Sequence, residues 1–419
     1  MAEATKALYI DMAYVTAELR QRKHEAFFEA RHSGGFFDRV WAVHPLADRV
    51  DPSRARRIET IAFSDRQTVI EGSSEFYRLP TILRPLNFLL SQFKLLRKVI
   101  GIVSRERIPL VIATDPLYTG LFGLAVKKRC GIPLVVHAVA NQDDLYATTG
   151  VVAYPKLFPS RALEKRIIQF VLKRCDLVTP GTETLSEYVI RNGAAPDRVA
   201  VFPVSRNMPA VHLVPPEERP DPAATFERWG IPANHGPFLI SIARLEPVKL
   251  VDDAIRAMKV VIDKHPGAIG IIAGQGQLRG ELEKLVDELG IRANIRFLGL
   301  VDHESLSIMI PHCITVSPLT GMAMFESAMG GSPIVAYEYD KLISTIVDHE
   351  RSGFIVPLHD WQKMGEKLLA IVDDAELRNA MSRCIREIAL NYTPERLFKH
   401  ENEVYRQLLD SSDAHSGIR

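Results

Sequence analysis

Short apolar runs rich in β-branched residues alternate along the chain with longer stretches whose apolar positions recur every three to four residues. The runs Ala7 to Ala13, Val40 to His44, Thr60 to Phe63, Leu110 to Thr114, Leu134 to Ala140 and Leu177 to Pro180 predict strands, and Val199 to Val204 predicts one that closes a first sheet. Helices are predicted between them at Glu18 to Arg31, Leu86 to Val103, Gly120 to Arg129, Glu164 to Arg174 and Glu183 to Asn192. A segment rich in proline, aspartate and glutamate, Pro209 to Pro237, reads as a linker and lead-in. The alternation then resumes with strands at Phe238 to Ala243, Ile269 to Ala273, Ile295 to Leu298, Cys313 to Val316, Pro333 to Ala336 and Gly353 to Pro357. Strands that alternate with crossover helices form parallel sheets, so the chain is α/β with two doubly wound, Rossmann-like domains, 1–208 and 209–392. A terminal segment, 393–419, holds a helix from Thr393 to Leu409 and a polar tail.

With 419 residues, 47% of them hydrophobic, the chain can bury two sizeable cores. A net charge of +1 argues against a nucleic-acid partner. Cys130, Cys175, Cys313 and Cys384 show no metal-ligand spacing and read as buried thiols of a reducing compartment. The start lacks a leader pattern and no apolar run is long enough to span a bilayer, so a cytoplasmic protein is expected. The Leu86 to Val103 helix interleaves leucine and phenylalanine with Lys94, Arg97 and Lys98. It reads as a core helix with snorkelling lysines, with peripheral contact to an anionic membrane as the open alternative.

Candidate chemistry gathers where strands end, because parallel sheets bind ligands beyond their carboxyl edges. Arg244 and Lys249 follow one strand and precede a helix, a placement suited to gripping two phosphates. Gly274-Gln-Gly276 and Gly299-Leu300 follow the next two strands. After Cys313 to Val316 the chain passes through Ser317 to Gly321 into a helix whose entry, Thr320 to Ala323, offers the free amides of Gly321, Met322 and Ala323 to an anion. Met322, Phe325 and Met329 mark that helix's buried face and Glu326 lies on its border, either as a solvated side chain or as a ligand contact. In the first half, Asp115 and Asn141 sit at strand ends, Gly34-Gly35 makes either a turn or a close approach to a ligand, and His137 is either a core residue or part of the site. No aspartate pair suited to Mg²⁺ or Mn²⁺ is visible.

The stretch Ser317 to Ala336 resembles the signature region of the retaining, GT-B-fold glycosyltransferases of family 4, and Arg244-Leu-Glu-Pro-Val-Lys249 resembles that family's Gly-Arg-Leu-x-x-x-Lys motif. The likeness is specific from Arg244 to about Pro357 and rests on layout before that. It implies two domains facing a cleft, with the terminal helix crossing back onto the first. It also implies a nucleoside-diphosphate-sugar as donor substrate, with no further cofactor and no metal, and a carbohydrate or lipid-linked hydroxyl acceptor. By the same resemblance Arg244 and Lys249 grip the donor diphosphate and Glu326 accepts hydrogen bonds from the ribose. Gly321 neighbours the donor sugar, while Gly274, Gly276, Gly299 and Leu300 line the nucleotide. His137 matches imperfectly a histidine near the transfer site, and Gly34, Gly35, Asp115 and Asn141 fall on the acceptor side. Pro318 stands where the family has its first glutamate, and Ser344 about where relatives place another. A sugar-nucleotide epimerase on the same fold and a non-catalytic nucleotide-sugar-binding relative are the alternatives.

Overall fold

The computed structural model describes residues 5–12, 15–18, 30–232, 235–319, 321–339 and 341–416. Ala13, most of the expected Glu18 to Arg31 helix, and Thr320 lie outside them. The chain divides into two compact units, residues 1–207 with 397–419, and residues 208–396.

In the first unit, strands β1 (Lys6–Ile10), β2 (Arg39–His44), β3 (Glu59–Ala62), β4 (Gln67–Glu71), β5 (Val111–Ala113), β6 (Leu134–Ala138) and β7 (Leu177–Pro180) form one sheet. Its order is β3-β4-β2-β1-β5-β6-β7, parallel throughout except that β3 runs against β4. The pattern of apolar positions did not reveal β4. Its ends are Gln67 and Glu71, both buried, and Glu71 pairs with Arg54 and accepts the Thr16 amide at 2.7 Å. A strand whose two ends are polar yet buried looks like a loop in sequence.

The expected strand Val199 to Val204 is formed only in part: Val199 bridges Val178, Ala200 and Phe202 donate to Val178 O at 3.0 Å and Pro180 O at 2.8 Å, and the chain then turns into a short 3₁₀ segment at Val204–Asn207. Pro203 has no amide with which to continue a ladder.

Helices α1 (Arg84–Glu106) and α2 (Tyr118–Cys130) cover one face of this sheet, where Leu95, Val99, Val103 and Val126 join Leu8, Ile10 and Val111 in the core. The terminal helix (Pro394–Ser416) belongs to this unit from Leu397 onward and covers the other face, with Tyr405 packed among Tyr9, Phe37 and Phe202. Arg206 Nη1 donates to both Glu401 carboxylate oxygens at 3.2 and 3.3 Å, and Ser33 Oγ donates to the same carboxylate at 3.1 Å.

Helix α1 departs from the core-helix reading over its first three turns. The side chains turned inward there are Asn87, Ser91 and Gln92, which bond the 73–77 loop: Ser91 Oγ accepts the Phe76 amide at 2.7 Å and Asn87 accepts that of Tyr77 at 3.0 Å. Leu86, Leu89, Leu90 and Phe93 are left exposed at helical spacing, next to the exposed Ile82 and Leu83. No helix among the described residues is long and apolar enough to cross a membrane. Of the four cysteines, Cys175 and Cys313 are buried while Cys130 and Cys384 are only half-buried.

The second unit holds β8 (Phe238–Ile242), β9 (Ile269–Ala273), β10 (Ile295–Gly299), β11 (Cys313–Val316), β12 (Ile334–Tyr337) and β13 (Gly353–Val356), all parallel, in the order β10-β9-β8-β11-β12-β13. Order reverses beside β8, which has β9 on one side and β11 on the other, and such a switch point is where open α/β sheets bind ligands. Helix α3 (Val251–Lys264) follows β8, and its Ala254, Met258 and Val261 pack on Leu239 and Ile272.

The Arg206–Glu401 contact is tested by Glu401→Ala. It leaves a guanidinium without its carboxylate inside the first unit, so urea unfolding should show a loss of about 3 kcal/mol, whereas Asn402→Ala should cost under about 1 kcal/mol.

Candidate functional site

The carboxyl edge of the second sheet is built by backbone bonds between successive loops. Ala243 donates to Ala273 O at 3.0 Å, Gly274 to Gly299 O at 2.8 Å, Leu245 to Gln275 O at 2.9 Å and Leu278 to Leu245 O at 3.1 Å. The loops after β8, β9 and β10 therefore form one shelf. Its closeness explains the glycines: a Cβ on Gly274 would lie 1.8 Å from Ala243 O, and one on Gly276 would lie 2.3 Å from Leu245 O. Gly274 and Gly299 also have φ of +155° and +73°, where side chains are disfavoured. The Gly274-x-Gly276 turn thus serves loop-to-loop packing first. Leu300, after the shelf, is exposed.

On this shelf Arg244 is exposed and donates from Nη1 to Glu246 Oε1 at 2.8 Å. Lys249 ends a 3₁₀ turn, Pro247–Lys249, that delivers the chain into α3. The Lys249 ammonium lies 3.9 Å from where a Cβ on Gly321 would stand. Gly321 is the residue before helix α5 (Met322–Met329), has extended backbone, and accepts the Met324 amide at 3.1 Å through its carbonyl. The amides of Gly321, Met322 and Ala323 precede the first intrahelical bond of that helix, so a cation and a set of free N–H groups meet at one place. Thr320, expected to share in this entry, is outside the described residues. Pro318 is buried and its carbonyl accepts the Tyr337 amide at 3.2 Å, which fixes the turn where a carboxylate was expected by resemblance.

The border position expected for Glu326 is not what the structure has. Helix α5 is buried on all sides from Met324 onward, Glu326 included. Met322 is only half-buried. Glu326 Oε1 faces His303 Nδ1 at 3.4 Å and His212 Nε2 at 3.8 Å, and the two ring nitrogens are 3.3 Å apart. His303 opens helix α4 (His303–Met309), which Asp302 caps by accepting the Ser305 amide at 2.8 Å. His212 comes from the Pro209 to Pro237 segment read as a linker, yet it is fully buried. Arg219 holds that segment in place by donating to Ser307 O at 2.6 Å, His212 O at 2.8 Å and Val214 O at 2.8 Å. Burial pushes the His212 imidazole down to about 4 against the pull of Glu326, while the bond to Glu326 raises His303. Sequence reasoning missed His212, because a lone histidine among prolines carries no periodicity. His303 lies a few residues beyond Gly299 and Leu300, with nothing in the pattern to pair it with Glu326.

In the first unit the assigned residues have local tasks. His137 is buried in β6, its Nδ1 bonded to the Thr179 hydroxyl in register on β7, with its ring 6.3 Å from that of Tyr9. Burial, helped by the nearby Arg206, holds it well below the usual histidine range, hence neutral. Val139, two residues on, is exposed. Asp115 accepts the Leu117 amide at 2.7 Å and the Tyr154 hydroxyl at 3.1 Å, and burial raises it to about 6. Asn141 caps the helix Gln142–Thr149, accepting from Asp143 N at 3.0 Å and Asp144 N at 3.4 Å. Gly34 and Gly35 have φ of +62° and +95°. The close approach at Gly34 is to Phe398 of the terminal helix, 2.9 Å from an added Cβ.

These surroundings favour the core reading of His137. His137→Ala should lower stability by about 1–3 kcal/mol in denaturant titration and leave the dissociation constant for a nucleoside diphosphate unchanged. A variant of native stability with weakened nucleotide binding would reverse that assignment.

Two family descriptions match consecutive parts of the chain: glycosyl transferase 4-like domain over residues 1–205, and glycosyl transferases group 1 over residues 225–387. Among curated proteins, D-inositol 3-phosphate glycosyltransferase of Saccharomonospora viridis is 26% identical over 308 residues, covering 70% of this chain and 68% of its own. Its namesake from Thermobispora bispora is 28% identical over 290 residues, covering 65% and 64%. The Streptomyces coelicolor exopolysaccharide phosphotransferase SCO2592 is 26% identical over 185 residues, 42% of this chain, which spans only 19% of that protein. Among solved structures, Anabaena Alr3699/HepE in complex with UDP and glucose has a TM-score of 0.70 at 16% identity, over 96% of this chain and 100% of its own. Sucrose-phosphate synthase from Thermosynechococcus elongatus has 0.70 at 17%, over 97% and 100%. The fold is GT-B. The chain belongs to the glycosyltransferases in which a glycosyl transferase 4-like domain is followed by a glycosyl transferases group 1 domain.

Proposed function

We propose that the protein transfers a sugar, with retention, from a nucleoside-diphosphate-sugar to a hydroxyl of a carbohydrate or lipid-linked acceptor. The observation that carries this reading is the Lys249 ammonium standing over Gly321 at the entry of α5. As the glycosidic bond breaks, the leaving diphosphate gains charge. A lysine, Arg244 from the same loop after β8 and unbonded helix amides are the groups that stabilise charge there without an added cation. The solved structures of similar fold with bound UDP support a nucleotide at such a site. Glu326 is assigned the ribose hydroxyls and Gly274, Gly276, Gly299 and Leu300 the nucleotide's surroundings. The acceptor is assigned to the first unit, and no resident cofactor is assigned.

The exposed stripe of α1 supports a membrane contact within the same reading. Ile82, Leu83, Leu86, Leu89, Leu90 and Phe93 face outward. Between Phe76 and Ser104 the chain carries Arg78, Arg84, Lys94, Arg97 and Lys98 and no acidic residue. An apolar strip flanked by cations suits an anionic bilayer surface.

Isothermal titration with UDP should show Arg244→Ala and Lys249→Ala weakening binding without a change in unfolding temperature, and turnover should fall by on the order of 10²-fold once a donor is found. Unchanged affinity in both variants contradicts the site. A donor panel run with and without acceptor separates transfer from epimerisation, in which an altered sugar appears without acceptor. Binding with no turnover on any donor would favour the non-catalytic alternative that Pro318 suggests.

Sedimentation with vesicles tests the stripe. Wild type should bind phosphatidylserine-containing vesicles and not neutral ones, and Leu89→Ser with Phe93→Ser should reduce the bound fraction at least about tenfold. Equal binding by the double variant would remove α1 from the contact.

A further inference from the structure

His212 Nε2, His303 Nδ1 and Glu326 Oε1 converge on one point from three separate segments: the 3₁₀ turn Ala210–His212, the first residue of α4, and the interior of α5. All three belong to the second unit. Their separations of 3.3, 3.4 and 3.8 Å exceed the roughly 2.7–3.2 Å of a good N–H···O bond. Protons give the three atoms only long bonds. If His303 Nδ1 donates to Glu326 at 3.4 Å, His212 Nε2 is left an acceptor sharing that same hydrogen; if His212 Nε2 donates to His303 Nδ1 at 3.3 Å, Glu326 Oε1 gains no bond from either ring. His212 adds a second observation: it is fully buried, and its Nδ1 has no partner among the described residues. The ring's one polar outlet is the shared point.

A metal ion meets these conditions without strain. Bonds of about 2.0–2.2 Å from nitrogen and carboxylate oxygen at tetrahedral angles place ligand atoms about 3.3–3.6 Å apart, close to what the three atoms already have. Two imidazoles and a carboxylate are a zinc-type donor set, and the half-exposed face of His303 leaves a side open for water as a fourth ligand.

We infer that His212, His303 and Glu326 form a site for one divalent transition-metal ion of the zinc type. Occupied, it ties the lead-in segment to two helices of the second unit, adding a cross-link to the one Arg219 makes through Ser307. The ion displaces whatever proton the three atoms share, so binding releases protons to solvent. The site shares Glu326 with the ribose role assigned above, through Oε1, and none of its atoms comes from Arg244 or Lys249.

The test uses the full chain stripped with EDTA and titrated with Zn²⁺. Wild type should take up one equivalent that survives gel filtration, and its unfolding temperature should rise and fall back when chelator is added. Co²⁺ in place of zinc should give the visible absorption bands of a four-coordinate ion. His303→Ala, a change at a half-exposed position, should lower zinc affinity by on the order of 100-fold or more and abolish both the temperature rise and the cobalt bands. Arg244→Ala should retain zinc whether or not it retains nucleotide, so this inference and the transfer reading fail separately. No stoichiometric uptake by wild type, or equal affinity in His303→Ala, overturns the site.

Discussion

Four backbone hydrogen bonds between the loops that follow β8, β9 and β10 are the constraint on which the second unit's edge depends. They require the chain at Gly274 and Gly276 to lie against the carbonyls of Ala243 and Leu245, at distances no side chain tolerates. Once zipped, the loop after β8 has one course, and that course ends in the 3₁₀ turn that carries Lys249. The lysine's position near Gly321 is thus set by backbone packing two strands away. Glycine at 274 and 276 is thus required by loop-to-loop packing whether or not a ligand lies beside it.

A second constraint comes from segments that cross between elements. Arg219 bonds three carbonyls and so turns an acidic, proline-rich stretch into a fixed wall that buries His212 beside Glu326. The terminal helix acts alike in the first unit, where Glu401 receives both Arg206 and Ser33. In each case a charged side chain inside the fold has a named partner, as its desolvation requires. Helix α1 shows the reverse arrangement, polar side chains bonded inward and leucines outward. Such a face costs little only if something apolar covers it.

The parallel sheets were legible because β-branched runs bounded by turns admit few other readings, and twelve of the strands lie where the pattern put them. The exceptions have physical causes. Strand β4 hides because Gln67 and Glu71 are buried polar ends, and Val199 to Val204 fails at Pro203. Arg244 and Lys249 stood out in sequence because a basic pair between a strand and a helix has few structural uses, and the structure places them in the loop between β8 and α3. Glu326 could be found but its setting could not: a helix buried on every side has no border, and periodicity cannot report that. His212 was invisible because its partners are 91 and 114 residues away in sequence. The first unit's assignments rested on layout, and there the side chains proved to have local partners, Thr179 for His137 and Phe398 for Gly34.

The central claim is that the departing diphosphate is held by Lys249 and by the free amides at the entry of α5. A crystal structure of the protein with UDP tests it most directly. The account predicts phosphate oxygens within about 3 Å of the Lys249 ammonium and of at least one amide among Gly321, Met322 and Ala323. Phosphates bound elsewhere on the second sheet, with those amides facing only solvent, would contradict it.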